Sequence, residues 1–148
     1  MSDLTNATIS VYNSYSHGLP PWNITRHERA IIRGVVWQEQ VERNPDSSGK
    51  TTISQSVLII IPKGADQGGK TYIDPVEYAK LSNDAENYWT LSYSVSEPTY
   101  IVLGEGRELN DLYTIQSLMR DHRVVEVKGV SDHLDFPGDL AGLEARCI

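Results

Sequence analysis

Several residue types are scarce in this chain of 148 residues, and each scarcity excludes a class of protein. A single cysteine, Cys147, leaves no partner for a disulfide within the chain and excludes a metal site built from several thiolates. The longest apolar run, residues 57–61, is far too short to cross a bilayer. Residues 1–8 are polar, with an early Asp3, and do not resemble a secretory signal. We therefore expect a soluble protein that is made in the cytoplasm and has no membrane partner.

Positive charge is also scarce. The 13 basic residues (Lys and Arg) are outnumbered by 20 acidic residues, which gives a net charge of −7 at pH 7. A dedicated binder of nucleic acid phosphates would show a basic footprint, so this class is disfavoured. The remaining composition, 39% hydrophobic and 22% charged, is ordinary for a folded protein, and the length predicts one domain over residues 1–148.

One string matches a catalytic motif. Residues 64–71 fit the phosphate-binding pattern G-x-x-x-x-G-K-[ST], directly after the apolar run. In such a loop, backbone N–H groups hold phosphates, the lysine (here Lys70) reaches the β- and γ-phosphates, and the hydroxyl (here Thr71) binds Mg²⁺. The motif raises a nucleotide hydrolase as one hypothesis.

The residues after this motif do not favour that hypothesis. A phosphate loop requires a helix that begins at the Lys-Thr pair. Here Tyr72 and Ile73 prefer strands, and Pro75 lacks the N–H that such a helix needs. Asp74 and Glu77 instead flank Pro75 in a capping pattern for a helix over residues 75–81. We therefore interpret residues 64–70 as a glycine-rich loop between two strands.

Hydrophobic patterns predict a mainly β fold. Strands are predicted at residues 8–13, 29–42, 51–61, 71–73, 88–93, 99–103, 123–130 and 143–148, the last as an edge strand. Helical patterns cover only residues 75–81 and 110–121, where Asn110 or Thr114 is the expected cap. The sum predicts a small β-barrel or sandwich of about seven or eight strands with two short helices. Residues 1–7 are expected to form a flexible N-terminus, and residues 132–148 an extended C-terminal segment.

Two details of the strands carry further expectations. Gly34, inside the second strand, predicts a bulge or a close backbone approach. The strand over residues 51–61 is apolar on both faces near its end, because Leu58 and Ile60 alternate with Val57 and Ile59. Such a strand must be covered on both sides, either by a helix packed outside a closed barrel or by a partner subunit.

No arrangement of catalytic or metal-binding residues emerges. The histidines do not form an H-E-x-x-H frame, and Cys147 has no assignable base. The string Asp132-His133-x-Asp135 is better explained as a solvated loop than as a metal site. We predict no catalytic residue, no cofactor and no metal, and hence a protein that is not an enzyme.

The order of the sequence segments carries a resemblance. Along the chain run I-S-V-Y-N, I-I-R-G-V-V-W, V-L-I-I-I-P, G-G-K, Y-I-D-P-x-E-Y, Y-W-T-L, V-L-G-E-G and R-V-V-E-V-K-G-V-S-D. This order resembles a family of small phage proteins whose genes lie between the capsid and tail genes of tailed phages. The resemblance covers residues 8–146, and the chain departs from the family in a proline-containing insertion at residues 18–26 and in a longer tail after Asp132.

The resemblance implies a head–tail junction component of the connector, head-completion or stopper type, located in the neck of the virion. Such proteins act as homo-oligomeric rings, commonly of six or twelve copies, between portal or adaptor and tail proteins. DNA passes through such a ring without sequence-specific binding, and an acidic lining would let it slide. The polar loops 43–50 and 64–70 are then the candidates for subunit or channel contacts, through Arg43, Asn44, Asp46, Lys50, Lys63, Asp66 and Lys70.

Three alternatives stay open from the sequence. One is another neck or tail component, such as a tail terminator. Another is the nucleotide hydrolase, which predicts nucleotide binding that Lys70→Ala abolishes. The third is a soluble adaptor or inhibitor, which predicts a stable monomer that is absent from purified particles.

Overall fold

A computed structural model describes residues 3–17, 24–81, 84–94, 97–135, 137 and 141–148. Along the chain lie β1 (Asp3–His17), β2 (Ile24–Pro45), β3 (Thr51–Pro62), β4 (Thr71–Tyr72), α1 (Pro75–Tyr78), a 3₁₀ helix (Ala85–Asn87), β5 (Tyr88–Trp89), β6 (Tyr100–Leu103), α2 (Ile115–Asp121), β7 (Val124–Asp132) and β8 (Gly142–Cys147). The prediction of a mainly β chain with two short helices is confirmed.

Six strands form a closed antiparallel barrel in the order β1-β2-β3-β8-β7-β6, and β6 pairs with β1 to complete the ring. The remaining strands, β4 and β5, form a separate two-stranded parallel sheet. Of the two predicted architectures, the molecule adopts the barrel. Closure gives each barrel strand a partner on both sides over part of its length, which removes the exposed edges that invite aggregation.

The interior of the barrel is filled by alternate residues of every strand, as the period of two in the sequence requires. Trp89 and Leu91, which follow the 3₁₀ helix, are fully buried and join this core. Its members are Ile9, Val11, Ala30, Ile32, Val35, Trp37, Val57, Ile59, Ile61, Trp89, Leu91, Ile101, Val125, Val127, Leu143, Ala145 and Cys147. The interior of the barrel is therefore packed with side chains.

Gly34 marks a shift in the pairing of β1 with β2. Its φ is +85°, and the register changes between the pairs Ala7–Val35 and Thr8–Arg33. As a result, the inward-facing residues of β2 change from Ala30 and Ile32 to Val35 and Trp37. The bulge predicted at Gly34 is confirmed.

A second, smaller apolar cluster lies outside the barrel. α2 packs Ile115 and Leu118 against Tyr12 of β1 and Val102 of β6. Thr114 caps α2 by accepting a hydrogen bond from Ser117 N, and Asp74 caps α1 by accepting one from Val76 N. The predicted caps are thus confirmed, with Thr114 rather than Asn110 as the cap of α2.

Several predicted boundaries were wrong. β1 runs from Asp3 to His17 and so extends beyond both ends of the strand predicted at residues 8–13, while the flexibility expected of residues 1–7 stays a prediction. The strand predicted over residues 88–93 ends at Trp89, and the helix predicted from residue 110 begins at Ile115. β8, predicted as an edge strand, pairs with both β3 and β7 and closes the barrel. The prolines of the 18–26 insertion lie outside the described residues.

Candidate functional site

The glycine-rich loop of residues 63–70 lies along β2 and does not project from the barrel. Asp66 exchanges two backbone hydrogen bonds with Arg33, with N···O distances of 2.8 and 3.0 Å. Further along, Lys70 Nζ donates to the carbonyl of Arg29 at 2.7 Å and lies 3.8 Å from a carboxylate oxygen of Glu28. The loop therefore replaces a strand partner for this part of β2.

The course of β3 explains why β2 needs this loop. β3 pairs with β2 only up to the pair Val36–Ile60, so none of the described strands pairs with β2 on that side before Val36. Buried backbone groups left without hydrogen bonds are costly. Gln67 further fixes the loop by accepting a hydrogen bond from Trp89 Nε1 at 3.0 Å. Burial lowers the pKa of the Lys70 ammonium, and Glu28 opposes that shift.

This geometry does not provide the phosphate-binding arrangement. The residues after Lys70 form β4 and not a helix, and α1 begins only at Pro75. The Lys70 ammonium points at a backbone carbonyl of β2. In a phosphate loop, the N-terminus of a helix that begins at the Lys-Thr pair supplies N–H donors and a favourable dipole to the phosphates. Here β4 takes the place of that helix.

The other predicted loop lies at the tip of a long two-stranded ribbon. β8 pairs with β3 from Val57 onward, whereas residues 51–56 of β3 pair only with residues 40–45 of β2. We call residues 40–56 the arm. Its turn is closed by Asp46, whose carboxylate accepts hydrogen bonds from Ser48 N, Ser48 Oγ and Lys50 N. These donors lower the pKa of the Asp46 carboxyl.

The arm has two open hydrogen-bonding edges within the described part of the chain. On one side, β1 pairs with β2 only as far as Gln38, which leaves residues 40–45 of β2 with an open edge. On the other side, β8 pairs with β3 only as far as Val57, because the next residue of the chain, Ile148, exchanges its backbone hydrogen bonds with Glu126 of β7. The open edge on β3, residues 51–56, contains no charged residue and no proline, the usual protections of an exposed edge. An isolated two-stranded ribbon is marginally stable in water. The arm is therefore suited to contact another chain.

The outer face of β3 next to the arm is apolar and partly exposed. Leu58 and Ile60 point away from the barrel core, and Ile60 lies opposite Val36 of β2. Among the described residues, neither apolar cluster includes these three side chains. The helix expected over this face packs instead over β1 and β6. Cover by a neighbouring subunit, the other expectation, stays a prediction.

A cleft of about 360 Å³ lies near the barrel end opposite the arm. β7 runs from Val124 to Asp132 and ends at that opposite end, because strand directions alternate around the barrel. The walls of the cleft include Tyr72 and Tyr93, and its carboxylates come from Asp74 and Asp132. None of the described residues that line it is basic. Burial raises the pKa of Tyr72 to about 12, and the two aspartates add to this shift.

Two long-range polar contacts, which the sequence did not reveal, fix the positions of segments near these surfaces. Asn13 is buried, donates to Thr90 O at 2.7 Å and accepts from Thr90 N at 3.0 Å. It therefore links β1 to the segment that follows β5. Arg29 donates to Gly106 O and pairs with Glu108 at 3.4 Å. Periodicity gives no signal for such contacts, because each joins residues more than 70 positions apart.

The seven predicted contact residues fall on two separate surfaces. Arg43, Asn44, Asp46 and Lys50 belong to the arm, whereas Lys63, Asp66 and Lys70 belong to the loop along β2. From Arg33, which pairs with Asp66, to Pro45 the strand advances about 40 Å. The structure therefore does not bring the two groups together. Arg43 and Lys50 are exposed, whereas Lys70 is partly buried and bonded within the subunit.

The described residues show no cluster of three or more His, Cys, Asp or Glu side chains arranged to hold a metal ion. Asp132, from the string considered for a metal, accepts a hydrogen bond from Leu134 N. Within the same described ranges, no helix has the length and apolar character to span a bilayer.

Comparison with known proteins yields a family and nothing further. No curated protein and no solved structure matches the chain. One family model, described as a family of unknown function (DUF6751), matches residues 4–141 and so spans the barrel from β1 through β7, together with the arm. The chain therefore belongs to the DUF6751 family.

Proposed function

We propose that this protein is a structural subunit of the head–tail junction of tailed phages, of the connector, head-completion or stopper type. It acts through protein–protein contacts and not through catalysis. Several copies form a ring, six or twelve in number, between the portal or adaptor and the tail. DNA passes through this ring without sequence-specific binding.

The observation that carries the proposal is the arm. A closed barrel is a self-contained unit, yet residues 40–56 extend from it as a ribbon with two open edges. Because such a ribbon gains little stability alone, we expect another chain to pack on it. The partly exposed apolar side chains of β3 beside it, Leu58 and Ile60, extend the same surface. A rigid barrel with a long projecting arm suits a ring subunit that must reach its neighbours.

The charge of the chain agrees with a channel role. The net charge of −7 repels DNA, so DNA slides past without being held. The arm contains Glu42, Arg43, Asp46 and Lys50, two acidic and two basic residues, and is therefore neutral. A neutral contact surface lets acidic copies approach one another without strong repulsion.

The test is to look for the chain in purified particles of the phage that encodes it. Mass spectrometry should detect it in washed virions, and cryo-electron microscopy should show a ring of barrels at the neck. Density at the distal end of the neck, next to the tail tube, would favour a tail terminator over a connector. If the chain is absent from particles, the structural role is wrong, and the adaptor hypothesis takes its place.

A further inference from the structure

The cleft at the end opposite the arm has the chemistry of a binding site for a cationic side chain. Asp74 and Asp132 supply negative charge, and Tyr72 and Tyr93 supply aromatic walls. A Lys or Arg side chain suits such a site, since its apolar stem packs on aromatic rings while its charge meets the carboxylates. The exposed Val76 and Tyr93, 64% and 61% exposed, leave this cleft open to another molecule.

The tip of the arm presents such side chains. Arg43 and Lys50 are exposed, and neither forms an ion pair with any described residue. Asp46, the acid nearest to Lys50 in the turn, directs its carboxylate to three donors of the turn itself. Arg43 and Lys50 are therefore the cationic side chains that the arm presents, beside the charged carboxylate of Asp46.

The two surfaces cannot meet within one subunit, because they lie at opposite ends of the barrel. The arm lies where β2 ends and β3 begins, whereas the cleft includes the last residue of β7, Asp132. Two different surfaces of one chain that complement each other give a heterologous contact. When each copy makes this contact with the next, the copies close into a ring if the rotations between neighbouring copies add up to a full turn.

We propose that the arm of one copy inserts its tip into the cleft of the next copy, with Lys50 between the tyrosines and facing the two aspartates. This inference rests on the proposed ring and names the contact that builds it. It commits to a second copy of this chain as the occupant, because the chain itself carries both the exposed Lys50 at the tip of the arm and the acidic, aromatic cleft.

Disulfide trapping between two differently labelled variants tests this contact. Ser47→Cys places a thiol on the turn without removing Lys50, and Ser94→Cys places one at the cleft without removing Tyr93. The native Cys147 is buried, and burial raises the pKa of its thiol to about 12, so it stays unreactive. One variant carries a size tag, so that the mixed disulfide separates from the two homodimers on a non-reducing gel.

The expected result is a mixed S47C–S94C dimer in several-fold excess over the matched control, S47C mixed with L112C. Leu112 is 94% exposed and lies outside the cleft, so it reports random collisions. Adding Lys50→Glu to the arm variant should reduce the mixed dimer several-fold, whereas Lys63→Glu, an equal charge change on the other loop, should leave it unchanged. Equal yields for S94C and L112C, or equal effects of the two charge changes, would overturn the proposal.

The outcomes separate this inference from the proposed function. A neck ring without the mixed disulfide would mean that the ring uses a different contact, and only the inference would fail. The mixed disulfide in a chain that is absent from particles would support the contact and reject the head–tail role.

Discussion

The two polar, glycine-containing loops of this protein look alike in sequence but differ in what they do. Residues 64–70 lie along β2 and complete its hydrogen bonding, whereas residues 46–50 close the tip of the arm. Both loops contain glycines with positive φ. These are Gly68 and Gly69 in the first loop and Gly49 in the second. The neighbouring strands cause this difference. β3 does not pair with the part of β2 that lies beside the first loop, whereas β2 and β3 stay paired as far as the second loop.

This comparison shows that glycine content does not identify a projecting loop. The loop beside β2 is fixed by long-range partners, Arg33 for its backbone and Trp89 for the side chain of Gln67. The hydrogen bonds described for the turn of the arm all involve Asp46, a residue within the turn. Changes to the first loop should therefore affect stability more than changes to the second, and changes to the second should affect assembly.

The largest effect is expected at the anchor of the loop beside β2. Trp89 is fully buried and hydrogen-bonded to Gln67, so Trp89→Ala leaves a large cavity and an unpaired amide oxygen. We expect the free energy of unfolding to fall by about 3–5 kcal/mol, measured by urea denaturation. Leu112→Ala, at a side chain 94% exposed, is the control and should change it by about 0.5 kcal/mol or less. A small effect of Trp89→Ala on the free energy of unfolding would contradict the burial of Trp89 in the barrel core.

The next effect compares one glycine from each loop. Gly49 and Gly68 both have positive φ, so alanine is strained at either position by about 1–2 kcal/mol. Only at Gly68 would the new Cβ also approach a backbone atom, Ile31 O, at 3.1 Å. We expect Gly68→Ala to lower the free energy of unfolding by about 1 kcal/mol more than Gly49→Ala, because the crowded backbone must shift. Equal losses would mean that the loop is not held against β2.

Alkaline pH should destabilise the fold through buried hydroxyls. Burial raises the pKa of Tyr12 and of Tyr72 to about 12, from an ordinary value of 10.0. Between these values the unfolded chain loses protons that the folded chain keeps, so stability falls as pH rises from about 10 to about 12. Tyr72→Phe, at the end of the loop beside β2, should make this fall shallower in denaturation curves recorded across that range. An unchanged slope would contradict the burial of its hydroxyl.

The smallest effect on stability is expected at the arm. Replacing residues 42–54 with Asn-Gly closes the ribbon with a tight turn after the pair Val41–Gln55 and leaves the barrel core intact. We expect the free energy of unfolding to change by about 0.5 kcal/mol or less, as at other exposed sites, while assembly is lost.

The matched control for the arm is replacement of residues 64–69 with Asn-Gly, which removes the partners of Arg33 and Trp89 and should destabilise the barrel. Calorimetry measures the stability of the two variants, and light scattering measures their assembly. A shortened arm that unfolds the barrel would show that the arm is part of the folding unit and not a projecting contact surface.

Local patterns predicted much of the fold. The helix starts followed from Asp74 with Pro75 and from Thr114, because capping depends on residues within one turn. The bulge at Gly34 followed from the conformational freedom of a glycine inside a strand. Strand existence followed from the period of two, although β1 and β2 continue into polar residues where the pattern gives no signal.

Of the candidate site, the sequence identified the arm turn but not the length of the ribbon that carries it. It also grouped Lys70 with the arm residues, whereas the structure engages this lysine within the subunit. The cleft was not predicted, since Tyr72, Tyr93 and Asp132 come from three separate segments that only the fold brings together.

Local sequence patterns were sufficient to predict the β class, the inward alternation of apolar residues, the helix caps and a strand in place of a helix after the Lys-Thr pair, because each depends on neighbours within a few residues. The folded chain was needed to show that the sheet closes, that β8 pairs on both sides, and that one loop completes β2 while the arm projects. These features depend on which distant backbone groups form hydrogen bonds, and no local pattern records that choice.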